Sequence, residues 1–139
     1  MDRDVIERKL ESLRHCIARV RAKRPATAEV LAADADLQDV LVLNLNLSRA
    51  VQVCVDIGAH LLAPTGSALP ATMGETFTRL GEVGLIDAGL AARLRSAVGF
   101  RNIAVHNYEA IDWEIVWRLA GDPLADFEAF ARQAALRLN

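Results

Sequence analysis

The sequence predicts an all-α protein, an antiparallel bundle of four main helices plus a short extra helix. Three observations predict it. Apolar residues recur at spacings of three and four along the longer stretches. Residues that cap or break helices fall between those stretches. No strand-like alternation of useful length occurs, and the low Pro and Tyr content, four and one, beside abundant Ala, Leu and Arg favours helix.

The first helix runs from Asp4 to Arg24, with Val5, Ile6, Leu10, Leu13, Ile17 and Val20 on one face and Pro25 as its stop. Residues 25–35 are Ala-rich and acidic, and their pattern assigns no element. Either Asp34 or Asp36 caps a long second helix that ends at Leu62. It is apolar all round (Val40, Leu43, Leu47, Val51, Val55, Ile57), which makes it the most buried element. Pro64-Thr65-Gly66-Ser67 breaks it. Thr72-Met73-Gly74-Glu75 has capping-box spacing and opens a short helix that Gly84 stops. Asp87 caps a fourth helix passing through Leu90, Leu94, Val98, Ile103 and Val105. A last stretch starts at Asp112 and is interrupted at Gly121-Asp122-Pro123, with Asp122 as cap and Pro123 at the first helical position. It resumes through Leu124, Phe127, Phe130, Ala134 and Leu138.

At 139 residues the chain is expected to be a single domain, 1–139. With 53% apolar and 24% charged residues it reads as a folded protein and not a disordered one. No apolar run approaches the roughly 18 residues a membrane span needs, and Met1-Asp2-Arg3-Asp4 is unlike a secretory signal, so a cytoplasmic location is expected. Cys16 and Cys54 then read as reduced core residues.

The net charge of −2 gives no global attraction to nucleic acid, but its distribution is uneven. Residues 1–24 hold eight basic and four acidic side chains, whereas residues 25–75 hold one and six. The N-terminal excess is either a solvated helix face or a set (Arg14, Arg19, Arg21, Lys23 and Arg24) that attracts phosphates.

Reactive chemistry concentrates near the end of the fourth helix, in Arg101-Asn102-Ile103-Ala104-Val105-His106-Asn107-Tyr108. Asn102 and His106 are i,i+4 neighbours, but Arg101 and His106 lie roughly 140° apart around an ideal helix. One helix does not easily aim both at a single atom. A long Arg side chain, a frayed helix end, or a second copy of the helix at a two-fold axis would bring them together. The residue types suit RNA cleavage by transesterification. A histidine titrating near neutrality exchanges protons with the 2′-OH and the 5′-oxygen. An arginine offers fixed positive charge to the phosphorane. Asn102 would orient the imidazole or donate to a phosphate oxygen. No carboxylate/His cluster has metal-ligand spacing, so no metal or cofactor is expected. An Arg and a His at a helix end can equally serve only to satisfy carbonyls.

The octapeptide resembles the Arg-x4-His-x-Tyr signature of the HepT-like family of the HEPN superfamily. The likeness extends to Cys54–Leu61, to Glu75–Leu80 followed by Gly84-Leu85-Ile86, to Leu94–Gly99 and to Leu124–Phe130, and is weakest at 25–35. It implies a homodimeric HEPN-like bundle whose cleft holds Arg101 and His106 from both subunits. It implies a metal-independent endoribonuclease toxin, with transfer RNA as the expected substrate. It also implies a partner, an MntA-type nucleotidyltransferase antitoxin that transfers AMP to the motif tyrosine, Tyr108. The alternative function is a non-catalytic HEPN module that binds a nucleotidyltransferase or its substrate.

Asp56 and His60, i,i+4 on the long helix, form either a local polar pair or support for the cleft. His15 reads as a surface or core-edge residue. Trp113 and Trp117 are core or interface anchors, or a platform for a splayed base.

Overall fold

Most of the helices begin where a short polar side chain takes up free backbone donors. Asp2 accepts from Val5 N at the start of α1 (Arg3–Lys23), and Thr27 accepts from Val30 N at the start of α2 (Ala28–Ala33). Asp34 Oδ1 accepts from Asp36 N and Leu37 N and opens α3 (Ala35–Gln38). Of the long apolar helix expected to end at Leu62, α4 (Asn46–Leu62) is described, Val40 and Leu43 lie outside the described residues, and a 3-10 turn follows at Ala63–Thr65. Thr72 caps α5 (Met73–Glu82), Asp87 Oδ1 accepts from Leu90 N at the start of α6 (Ala88–Ala104), and Asp112 caps α7 (Trp113–Leu119). The last helix is α8 (Pro123–Leu136).

The computed structural model describes residues 2–38, 46–104 and 111–138, without the side chains of Asn46, Phe100, Arg101, Ile103 and Ala104. No strand occurs among the described residues.

Two expectations change. The unassigned stretch 25–35 contains the six-residue α2, which buries only Leu31. Asp122 does not cap α8 with its side chain. Its φ of −53° and ψ of −39° are already helical, so the carboxylate does not face the first amides, and Leu124 N bonds to Gly121 O instead. Pro123 does occupy the first turn.

α1 packs chiefly on α4, α5 on α6, and α8 spans α1, α4 and α6. One apolar cluster joins them, with Phe77, Phe127 and Phe130 fully buried. Phe77 and Phe130 meet edge-to-face with centroids 5.9 Å apart, a geometry worth about 0.5–1.5 kcal/mol beyond the area buried. α5 sits close to both neighbours because glycines face them. A Cβ at Gly58 of α4 would lie 2.7 Å from Thr76 Cγ2, and one at Gly81 of α5 would lie 2.9 Å from Ala91 Cβ. At Gly84, φ of +77° closes the end of α5, where Leu85 N reaches Leu80 O and Gly84 N reaches Gly81 O. No helix among the described residues is long and apolar enough to cross a membrane.

Candidate functional site

The helix on which the motif begins is α6, and its neighbours fix it on two sides. Leu90, Leu94 and Ala97 form its buried stripe. Arg95 donates to Thr78 of α5 at 3.1 Å, and Arg93 pairs with Asp126 of α8 at 2.8 Å. At its N-terminus Gln133 donates to Asp87 Oδ2 at 2.8 Å. That bond, then the one from Leu90 N, holds the Asp87 carboxyl below its usual range. Asp87 thus stays ionised at the positive end of the helix dipole.

Position 101 continues the series 90, 94, 97 at helical spacing. Pro123, the first residue of α8, lies beside Ser96 and Ala97 in one surface recess. The turn bearing Arg101 and Asn102 therefore lies beyond the start of α8, at the end of the bundle. Asn102 is exposed there. His106 and Tyr108 lie outside the described residues, as does the side chain of Arg101.

Asp56 and His60 sit elsewhere. Gly58 between them faces Thr76 and Leu80, and that part of α5 faces Arg95 and Ala91 of α6. Asn102 is seven residues further along α6, or about 10 Å at 1.5 Å per residue. Asp56 does not bond His60. Its Oδ2 accepts from Lys9 Nζ at 3.4 Å and its Oδ1 from Gln52 at 2.9 Å. The residues that would define the cleft with Asp56 and His60, His106 and the Arg101 side chain, lie outside the described residues.

His15 is exposed. Cys16 and Cys54 are buried free thiols, and burial pushes both up; nearby Cys16 adds to the rise at Cys54, whereas Arg49 and Arg19 oppose it at Cys16. Among the described residues, no three His, Cys, Asp or Glu side chains gather as a metal site would require.

The N-terminal basic set divides. Arg21 pairs with Glu128, and Arg24 is committed to Trp117. The Arg24 guanidinium lies 3.8 Å from the Trp117 ring centroid, its Nε donates to Trp117 O at 2.9 Å, and Trp117 Nε1 donates to Pro25 O at 2.9 Å. This contact joins the end of α1 to α7, the helix that follows the motif. A cavity of about 620 Å³ opens beside it, lined in part by Arg118, Asp122 and Pro123. The sequence reading named Arg24 and Trp117 separately and missed their contact, which spans 93 positions. It also passed over Arg49, an isolated cation in an acidic stretch.

A profile of the family described as Ribonuclease HepT-like matches residues 3–134. The chain is 33% identical over 127 residues to the "mRNA nuclease HepT" of Shewanella oneidensis, covering 91% of this chain and 93% of that one. It is 29% identical over 93 residues to the "tRNA nuclease HepT" of Aphanizomenon flos-aquae, covering 67% and 63%. Among solved structures it is similar to the tri-AMPylated Shewanella oneidensis HEPN toxin in complex with MNT antitoxin. That likeness has a TM-score of 0.83, 32% identity, and coverage of 98% of this chain and 99% of that one. A toxin–antitoxin complex with AMP-PNP gives a TM-score of 0.82 and 31% identity, covering 96% and 99%. The all-helical order, the capped α5–α6 pair and the Arg-x4-His-x-Tyr motif at the end of α6 are thus joined by similarity along nearly the whole chain, and this protein belongs to the HepT-like ribonuclease family.

Proposed function

We propose that the protein is an endoribonuclease toxin that cleaves RNA without a metal, at a cleft formed twice from the end of α6 across a homodimer. The observation that carries this reading is the Arg101–His106 spacing, which begins on the last turn of α6, in a HepT-like chain. The 140° between the two positions argues for two copies of the helix around one phosphate.

In the proposed reaction one His106 takes the proton from the ribose 2′-OH. The 2′-oxygen forms a bond to phosphorus as the bond to the 5′-oxygen breaks. The 5′-oxygen receives its proton from the His106 of the second copy, and the other product is a 2′,3′-cyclic phosphate. Arg101 from each copy neutralises the phosphorane, where charge is greatest. Asn102, exposed on the same turn, orients the imidazole or holds a phosphate oxygen. The RNA class is open between messenger and transfer RNA, since one relative is named for each.

The proposed partner is a nucleotidyltransferase antitoxin of the MntA type, which transfers AMP to Tyr108. The similarity to a tri-AMPylated toxin in complex with MNT antitoxin supports the partner, and the motif position of Tyr108 makes it the proposed acceptor. AMP on Tyr108 would add phosphate charge beside Arg101 and compete with RNA. Purified protein should cut RNA in the presence of EDTA and leave 2′,3′-cyclic ends. Cleavage that disappears with the chelator, or that leaves 5′-phosphate ends, would reject the mechanism. A chain that binds the nucleotidyltransferase but cuts nothing would establish the non-catalytic module.

A further inference from the structure

The edge of α1 that meets α4 carries positions 5, 9, 12, 16, 19 and 23, spaced alternately by four and three, and none of them is acidic. Arg49, Gln52 and Asp56 line the facing edge of α4 with the same spacing. Lys9 and Asp56 pair across the groove at 3.4 Å, which sets the register of the two helices. Seven residues up α4 from Asp56 is Arg49, and seven residues along α1 from Lys9 is Cys16, because the helices run antiparallel. Arg49 therefore lies across from Cys16, with Arg19 and then Lys23 on the next two turns. The effect of both Arg49 and Arg19 on the burial-raised Cys16 thiol agrees with this register.

Arg19, Lys23 and Arg49 are all exposed, and none is in an ion pair among the described residues. Asp56, the only acid on either edge among the described residues, is occupied by Lys9 and Gln52. The three cations lie toward the C-terminus of α1 and the N-terminus of α4. The C-terminal turn of α6 lies at the same end, because α6 and α1 both run antiparallel to α8 (Asp87 to Gln133 and Arg93 to Asp126; Arg3 and Leu10 beside Ala135 and Leu138, and Arg21 to Glu128).

We infer that Arg19, Lys23 and Arg49 form a track that holds the phosphate backbone of the RNA outside the cleft, an inference that rests on the ribonuclease reading. Long cations about one helical turn, ~6 Å, apart suit a flexible polyanion. A protein partner would need an apolar anchor. Among the described residues, the large exposed apolar ones (Val30, Leu69, Val83 and Leu136) all lie off these two edges.

The test uses the full chain with His106→Ala to block turnover, and a uridine homopolymer as probe. Binding is followed by anisotropy over a range of salt, with and without Arg19→Gln, Lys23→Gln and Arg49→Gln together. Each phosphate contact contributes about 0.7 to the slope of log affinity against log salt for single strands. The triple variant should therefore flatten the slope by about 2, while Arg132→Gln on α8 keeps the parent slope. An unchanged slope overturns the inference. So does a triple variant that alters the oligomeric state, which would make the patch a subunit contact. An unchanged slope with weakened binding of the nucleotidyltransferase would assign the patch to that protein. If the chain with His106 intact cuts no RNA but the slope still falls, the nuclease reading fails and the track stands.

Discussion

Replacing Arg24 by Ala should destabilise the fold by about 2 kcal/mol, a large effect for a single half-buried arginine. Two interactions end together. The guanidinium stacked 3.8 Å from the Trp117 centroid contributes about 1 kcal/mol between the exposed and desolvated limits. The Nε donor to Trp117 O at 2.9 Å adds about 1–1.5 kcal/mol for a charged donor that is still partly wet. For a chain of this length the melting temperature should fall by roughly 6–8 °C. Urea denaturation followed by tryptophan fluorescence and far-UV circular dichroism reads the free energy directly. Arg24→Lys keeps the cation over the ring but loses the fixed Nε donor, and should recover about half. Trp117→Phe keeps a ring under Arg24 but strands Pro25 O, now served by the indole at 2.9 Å, at about 1 kcal/mol. If Arg24→Ala costs less than about 0.5 kcal/mol, the contact does not hold α7 against α1, and the anchoring of the chain after the motif must be sought elsewhere.

Three further outcomes follow. The Glu75, Asp87 and Glu128 carboxyls are held below their ordinary values by bonds from Ala71 N, Gln133 and Arg21 respectively. Their stabilisation is complete above the unfolded values of 4.5 and 3.8 and is lost as pH falls through the lower folded values. Melting should therefore fall steeply below about pH 4.5 in the parent and less steeply with Glu75→Gln, Asp87→Asn and Glu128→Gln together; equal pH profiles would refute it. After co-expression with an MntA-type nucleotidyltransferase, intact mass should rise by one or more AMP units. A Tyr108→Phe chain that is still modified would reject Tyr108 as acceptor. Light scattering at micromolar concentration should report a dimer, and a clean monomer would remove the two-fold cleft.

The helix boundaries were legible where a cap and a long periodic face coincide, as at Thr72, Asp87 and Asp112. They were not where either was missing. α2 is too short to show a period and buries one side chain, although Thr27 was available as its cap. Asp122 has the right residue type beside Pro123, but the turn from α7 already places it in helical conformation. Local spacing also misjudged polar partners. Asp56 and His60 look paired on a helical wheel, yet Lys9, 47 positions away, takes the carboxylate. Packing between helices decides such contacts, and no single-helix pattern contains it. The same limit hid Arg49, whose neighbours come from α1. The motif itself was legible by type and spacing. The helix geometry adds that positions 101 and 102 fall on the last turn of α6 at the end of the bundle, where Asn102 is exposed.

The most direct test of the account is the RNA cleavage rate of Arg101→Ala and His106→Ala, measured in EDTA on samples that melt with the parent. Each substitution should lower the rate by at least about 100-fold, as loss of a general acid–base or charge-stabilising group does. Cleavage by either variant at the parent rate would contradict the assignment of the site to the end of α6.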